Sequence, residues 1–128
     1  MKKFLTMAVF ALSVFILQMP QVEARDEYVG EWEGGWRAYL MIETVQLGKN
    51  GNDPAFSCRL KGISPQGTTK YFDYVFTFHQ NAGARVSFRD STGASGSFVM
   101  GSPGVYQVEH ETALQLMALM KTFMDSRR

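Results

Sequence analysis

The residues able to do chemistry in this 128-residue chain are few: two histidines, His79 and His110, one cysteine, Cys58, and scattered carboxylates. Neither histidine has cysteines or a carboxylate cluster beside it at the spacings that hold a metal. Asp73 and His79 share one face of an expected strand, but six residues at about 3.3 Å each set them roughly 20 Å apart, too far for an acid–base pair. His110 lies in Glu109-His110-Glu111, which reads as the solvated start of a helix. Cys58 alternates with the apolar Phe56 and Leu60, so its thiol falls on an inner face, where cysteine behaves as a small hydrophobe. A nucleophilic cysteine would want exposure and a basic neighbour. No Gly-x-Ser-x-Gly elbow, phosphate loop or His-Glu-x-x-His helix occurs. The Gly- and Ser-rich run from Ser91 to Gly104 reads as turns, with no lysine or helix start after it to bind an anion. The expectation is a protein that is not an enzyme and carries neither metal nor cofactor.

What positions these residues begins after residue 24. Lys2 and Lys3 precede an apolar run from Phe4 to Leu17, Pro20 breaks any helix, and Val22-Glu23-Ala24 supplies a small-residue end. This is the pattern of a secretory signal peptide cut after Ala24. The apolar run is shorter than the roughly 20 residues that span a bilayer as a helix. No cysteine follows it, which closes the bacterial lipoprotein route. The expected product, residues 25–128, is a single domain in the periplasm or outside the cell, with no stable membrane insertion. Loss of Lys2, Lys3 and Glu23 turns 13 basic and 12 acidic residues into 11 of each. A neutral chain with no charge run beyond Arg127-Arg128 argues against binding nucleic acid or an anionic membrane. With one cysteine, the domain must also fold without an internal disulfide.

Period two dominates the middle of the chain and predicts antiparallel strands. Tyr39–Leu47 is one, ended by Gly48–Pro54 with Asn-Gly turn chemistry. Phe56, Cys58 and Leu60 face inward, with Ser57, Arg59 and Lys61 in water. Phe72, Tyr74, Phe76 and Phe78 form an aromatic face, opposite Tyr71, Asp73, Thr77 and His79, with Val75 the apolar exception. Val86 and Phe88 continue inward after a turn at Asn81-Ala82-Gly83, and Phe98 and Met100 follow a turn at Ser91-Thr92-Gly93. Such a meander hides its edges by curling into a small open or closed barrel. Residues 111–125 carry Ala, Leu, Met and Gln in helical proportion, with Thr112 and Gln115 as a capping box. Ala113, Leu116, Met117, Met120 and Met124 are the expected buried stripe; a final strand through Leu114, Leu116, Ala118 and Met120 fits the same apolar residues. The fold class is mainly β, with a C-terminal helix.

Gly30-Glu31-Trp32-Glu33-Gly34, with Trp36 following and a strand over Leu40–Val45, resembles the Gly-x-Trp opening of lipocalins and small exported calycin-like domains of bacteria. The resemblance runs from Gly30 to about Met100 and implies a meander around a ligand cavity with the tryptophan packed across its base. The chain departs from lipocalins in length, in having six or seven strands rather than eight, and in lacking a basic residue placed to pack over Trp32. On this reading Trp32, Trp36, Phe72, Tyr74, Phe76, Phe78 and Phe88 are the candidate pocket residues for a small apolar ligand, since such pockets are lined by aromatic side chains. Tyr74 points the same way, because its hydroxyl needs a partner on an otherwise apolar face. The same residues could instead fill a solid core. Two functions follow: an exported protein holding a small apolar ligand, or an interaction or inhibitor module that offers loops such as Lys49–Pro54 or Ser91–Ser95 to another envelope or secreted protein.

Overall fold

The computed structural model describes residues 16–17 and 25–126, with side chains described for residues 25–122. Apart from Ile16 and Leu17, the expected signal peptide lies outside the described residues, as do Arg127, Arg128 and the side chain of Met124. The strands are β1 (Ile16–Leu17), β2 (Asp26–Trp32), β3 (Trp36–Asn50), β4 (Asp53–Ile63), β5 (Thr69–Phe78), β6 (Arg85–Asp90) and β7 (Ser95–Val99), followed by helix α1 (Gln107–Ser126). From β2 onward the six strands form one antiparallel meander that curls into a half-barrel. Two short strands share the outer edge of β3: β2 pairs with its first half and β1 with Leu47 and Gly48.

Each element follows from its local sequence. The β3–β4 hairpin closes at Gly51-Asn52, between the paired Asn50 and Asp53, and Gly51 takes φ 64°, which a two-residue hairpin turn requires. The strands therefore run closer to the turn than the polar residues Gly48–Pro54 suggest. Between Met41 and Gln46 the β3 register shifts. Thr44 satisfies that bulge, donating from Oγ1 to the Met41 carbonyl at 2.7 Å and accepting from the Arg59 N–H at 2.8 Å. A bulge bends its strand and raises its twist, and here it helps one long strand wrap around the core.

Helix α1 starts four residues earlier than the sequence indicates. The Tyr106 N–H donates to the Pro103 carbonyl and the His110 N–H to that of Tyr106, so the Pro103-Gly104 turn launches the helix. A helix start does follow the Gly- and Ser-rich run after all. Thr112 sits in the second turn, where its hydroxyl donates to the Val108 carbonyl at 2.8 Å instead of capping the helix. The buried stripe keeps the expected Ala113 and Leu116 and extends back through Thr112 to Val108. Val108, Thr112, Ala113 and Leu116 are buried, Met120 is half-buried, and Met117 is 41% exposed. A final strand does not form in this region.

The core lies between the concave sheet face and α1. Leu40, Phe56, Leu60, Phe76 and Val86 are buried there with Val108 and Leu116. The convex face is less uniformly wet than alternation implies. Ser57, Val75 and Thr77 are buried on it, Ser57 lying in mid-sheet between the longer Gln46 and Val75.

Tyr106, just before the helix, lies on Gly96 of β7. A Cβ at Gly96 would come within 2.7 Å of the Tyr106 ring and 3.0 Å of Phe88. Gly96→Ala should therefore push Tyr106 off the sheet and cost about 1–3 kcal/mol, as overpacking usually does. Urea denaturation would measure it, and a neutral result would mean that this contact is loose.

Candidate functional site

The sheet brings the expected aromatic residues together on the concave side. Tyr74 and Phe76 stack at 5.4 Å between centroids, Phe76 lies 6.0 Å from Phe88, and Tyr106 meets Phe88 edge-on at 5.1 Å. Phe78 meets Phe56 at 5.8 Å, and Phe72 meets Trp32 at 5.3 Å, both edge-to-face. These are the separations at which aromatic pairs attract one another. Trp32 and Trp36 sit at one end over Gly62, whose Cβ would stand 3.1 Å from one indole and 3.2 Å from the other. The Lys70 ammonium lies 5.5 Å from the Trp36 ring centre.

One buried polar cluster crosses this interior. Glu109, in the first turn of α1, is 7% exposed, and its Oε2 accepts from the Tyr74 hydroxyl at 3.1 Å and from Trp32 Nε1–H at 3.4 Å. The position suits an acid, because unpaired N–H groups gather at a helix N-terminus. Sequence reasoning treats Glu109 as solvated, since it stands in a charged triplet. Its helical spacing from the buried Thr112, Ala113 and Leu116 is the signal that turns it inward.

Burial raises the Tyr74 phenol well above its ordinary 10.0, and the neighbouring Glu109 carboxyl adds to the effect. The Cys58 thiol, paired across the sheet with Tyr74, rises above its ordinary 9.0 by burial first and then by Asp73. Both groups hold their protons more tightly folded than unfolded. Their contribution is thus complete below about pH 9 and is lost as pH rises, because the unfolded chain releases those protons first. Denaturation midpoints between pH 7 and 11 should fall on the alkaline side, and Tyr74→Phe should flatten that fall. A midpoint that holds steady to pH 11 would contradict the burial of both groups.

The convex face carries a second arrangement. Two rows cross it in register, Gln46–Ser57–Val75–Arg89–Ser95 and Gly48–Ala55–Thr77–Ser87–Ser97. Over β5, β6 and β7 they line an open depression of about 550 Å³ with the hydroxyls of Thr77, Ser87 and Ser97, the Asn50 amide and Arg89. Asn50 Nδ2 donates to Thr77 Oγ1 at 3.3 Å.

At the edge of this depression three side chains stand in line. His79 Nδ1 lies 3.3 Å from Asp53 Oδ2, and its Nε2 lies 2.6 Å from Ser87 Oγ. Asp53 Oδ1 accepts the Gln80 N–H at 3.1 Å, which fixes the carboxyl. Asp73 does not approach His79; it bonds Arg59 Nε at 2.9 Å. Hairpin register explains the set. Ala55 pairs with Thr77, so Asp53 falls opposite His79, and Thr77 pairs with Ser87, which puts that serine diagonally beside the histidine.

Among the described residues no group of three or more His, Cys, Asp or Glu is placed to hold a metal, and no helix is long and apolar enough to cross a membrane. Comparison with protein-family profiles, curated proteins and solved structures finds no match.

Proposed function

We propose that this chain is an exported binding module that engages another protein, or a polar group on it, through its outer surface. The observation that carries the reading is the packing of the interior. The seven aromatic residues suited to lining an apolar pocket spend their faces on one another, on Tyr106 and Phe56, and on the half-barrel end at Gly62. Tyr74, whose hydroxyl hinted at a cavity, has its partner in Glu109. The depression with polar lining lies on the opposite, convex face. Hydroxyls, an amide and a guanidinium are groups suited to hydrogen-bonded contact with a polypeptide. The calycin-like opening at Gly30–Gly34 and export after cleavage at Ala24 are part of the same proposal.

A pull-down from envelope and secreted extract with the exported protein should recover one partner, and Ser97→Arg, which fills the depression, should weaken it at least tenfold. Equal recovery by that variant, or recovery of no partner with the folded protein, would overturn the reading.

A further inference from the structure

We infer that Ser87 is an activated nucleophile for acyl transfer, with His79 as its base and Asp53 as the residue that positions His79. This goes beyond binding and does not require a protein partner. The three groups come from β4, from the residue after β5 and from β6, and register places them together on one face. His79 presents Nδ1 to the Asp53 carboxyl and Nε2 to the Ser87 hydroxyl. The Asp53 carboxylate, 3.3 Å from Nδ1, favours the tautomer that carries its proton there, and in that tautomer the Nε2 lone pair accepts from Ser87. That assignment of roles, hydroxyl to imidazole to carboxyl, is what defines such a relay regardless of fold or chain order. The Gln80 N–H on the far oxygen of Asp53 supplies the outer support that keeps the positioning group from turning.

The reaction is hydrolysis of a small polar carboxylic ester. Ser87 Oγ bonds to the ester carbonyl carbon while its proton passes to His79 Nε2. The carbonyl carbon–oxygen bond to the alcohol then breaks, and the alcohol leaves with that proton. Water, losing a proton to the same nitrogen, attacks the acyl-serine, and the acid departs as Oγ regains its proton. Ester and water are the only reactants consumed.

The surroundings set the pace. Strand β6 is paired on both sides, so its backbone at Ser87 belongs to the sheet ladder and is not a preformed pair of N–H groups aimed at an oxyanion. Negative charge on the carbonyl oxygen must instead be met by side chains of the depression, where Asn50 and Arg89 stand with Ser87. Oxyanion donors are a large part of the rate in such reactions. Both acylation and deacylation pass through that oxyanion, so turnover should be slow, and only an ester with a good leaving group should acylate Ser87 faster than water releases the acyl group.

The test is to incubate the exported protein with p-nitrophenyl acetate, and separately with a fluorophosphonate, and to follow nitrophenol release, intact mass and the modified peptide. The expected result is a release burst approaching one equivalent, one acetyl or phosphonyl group per chain, and the label mapped to Ser87. Ser87→Ala should abolish the label and His79→Gln should slow it about a hundredfold, in line with the usual worth of a general base. Ser102→Ala, a hydroxyl outside the depression, should leave it unchanged. Label on a lysine or on another serine, or an unmodified chain at long times, would overturn the inference. Peptide mapping on the unsubstituted protein decides the matter even if a variant does not fold.

Discussion

Phe76→Ala should lower the free energy of unfolding by about 3–5 kcal/mol, the usual cost of removing a fully buried phenylalanine ring. Phe76 is 0% exposed at the centre of β5, against Tyr74 on its own strand and Phe88 on the next. Truncation removes the contacts of the ring and leaves a cavity that rigid neighbours fill only in part. Small domains have about 5–15 kcal/mol in all, so the variant should be close to unfolding at 37 °C. The size of the loss is diagnostic. A ring that merely lines a ligand space has few contacts on its open side, and its removal should cost under about 1.5 kcal/mol while enlarging that space. Urea denaturation of Phe76→Ala separates the two cases.

Glu109→Ala should be nearly as damaging, at about 2–4 kcal/mol, for a different reason. It leaves the buried Tyr74 hydroxyl and the half-buried Trp32 N–H without their acceptor, and a buried donor left unpaired costs about 1–3 kcal/mol. Glu109→Gln keeps an acceptor oxygen and should cost much less. Adding Tyr74→Phe to Glu109→Ala should recover part of the loss, since one stranded donor is removed with its partner. A double-mutant cycle in urea measures the coupling. Additive losses would mean that the hydroxyl and the carboxyl do not depend on each other.

The strands were legible in the sequence because one concave face is dry, and Phe72 to Phe78 could alternate in only one way around it. Turn residues marked the ends of β5 and β6 for the same local reason. The start of α1 was less legible, because Pro103-Gly104 looks like one more loop in a glycine-rich run, while Thr112 and Gln115 imitate a cap. Glu109 faces inward and Met117 outward against expectation, because the face packed on the sheet runs through Val108, Thr112, Ala113 and Leu116. The relay at Asp53, His79 and Ser87 was hidden for another reason. Its members are far apart in sequence, and only the hairpin register, fixed by the two-residue turn at Gly51-Asn52, sets Asp53 opposite His79. The carboxylate on the same strand is Asp73, which shares a face with His79 but bonds to Arg59.

A half-barrel needs something to close it, and here α1 does so. Its Val108, Ala113 and Leu116 complete the aromatic interior that β3 to β7 begin. On the proposed reading, the aromatic contacts of the inner face serve folding and binding falls to the outer face. Native mass spectrometry of the protein purified from its natural host tests this most directly. The expected spectrum shows the bare mass of residues 25–128, with a protein partner bound when extract is present; a stoichiometric apolar molecule retained by the folded chain would contradict the proposed function.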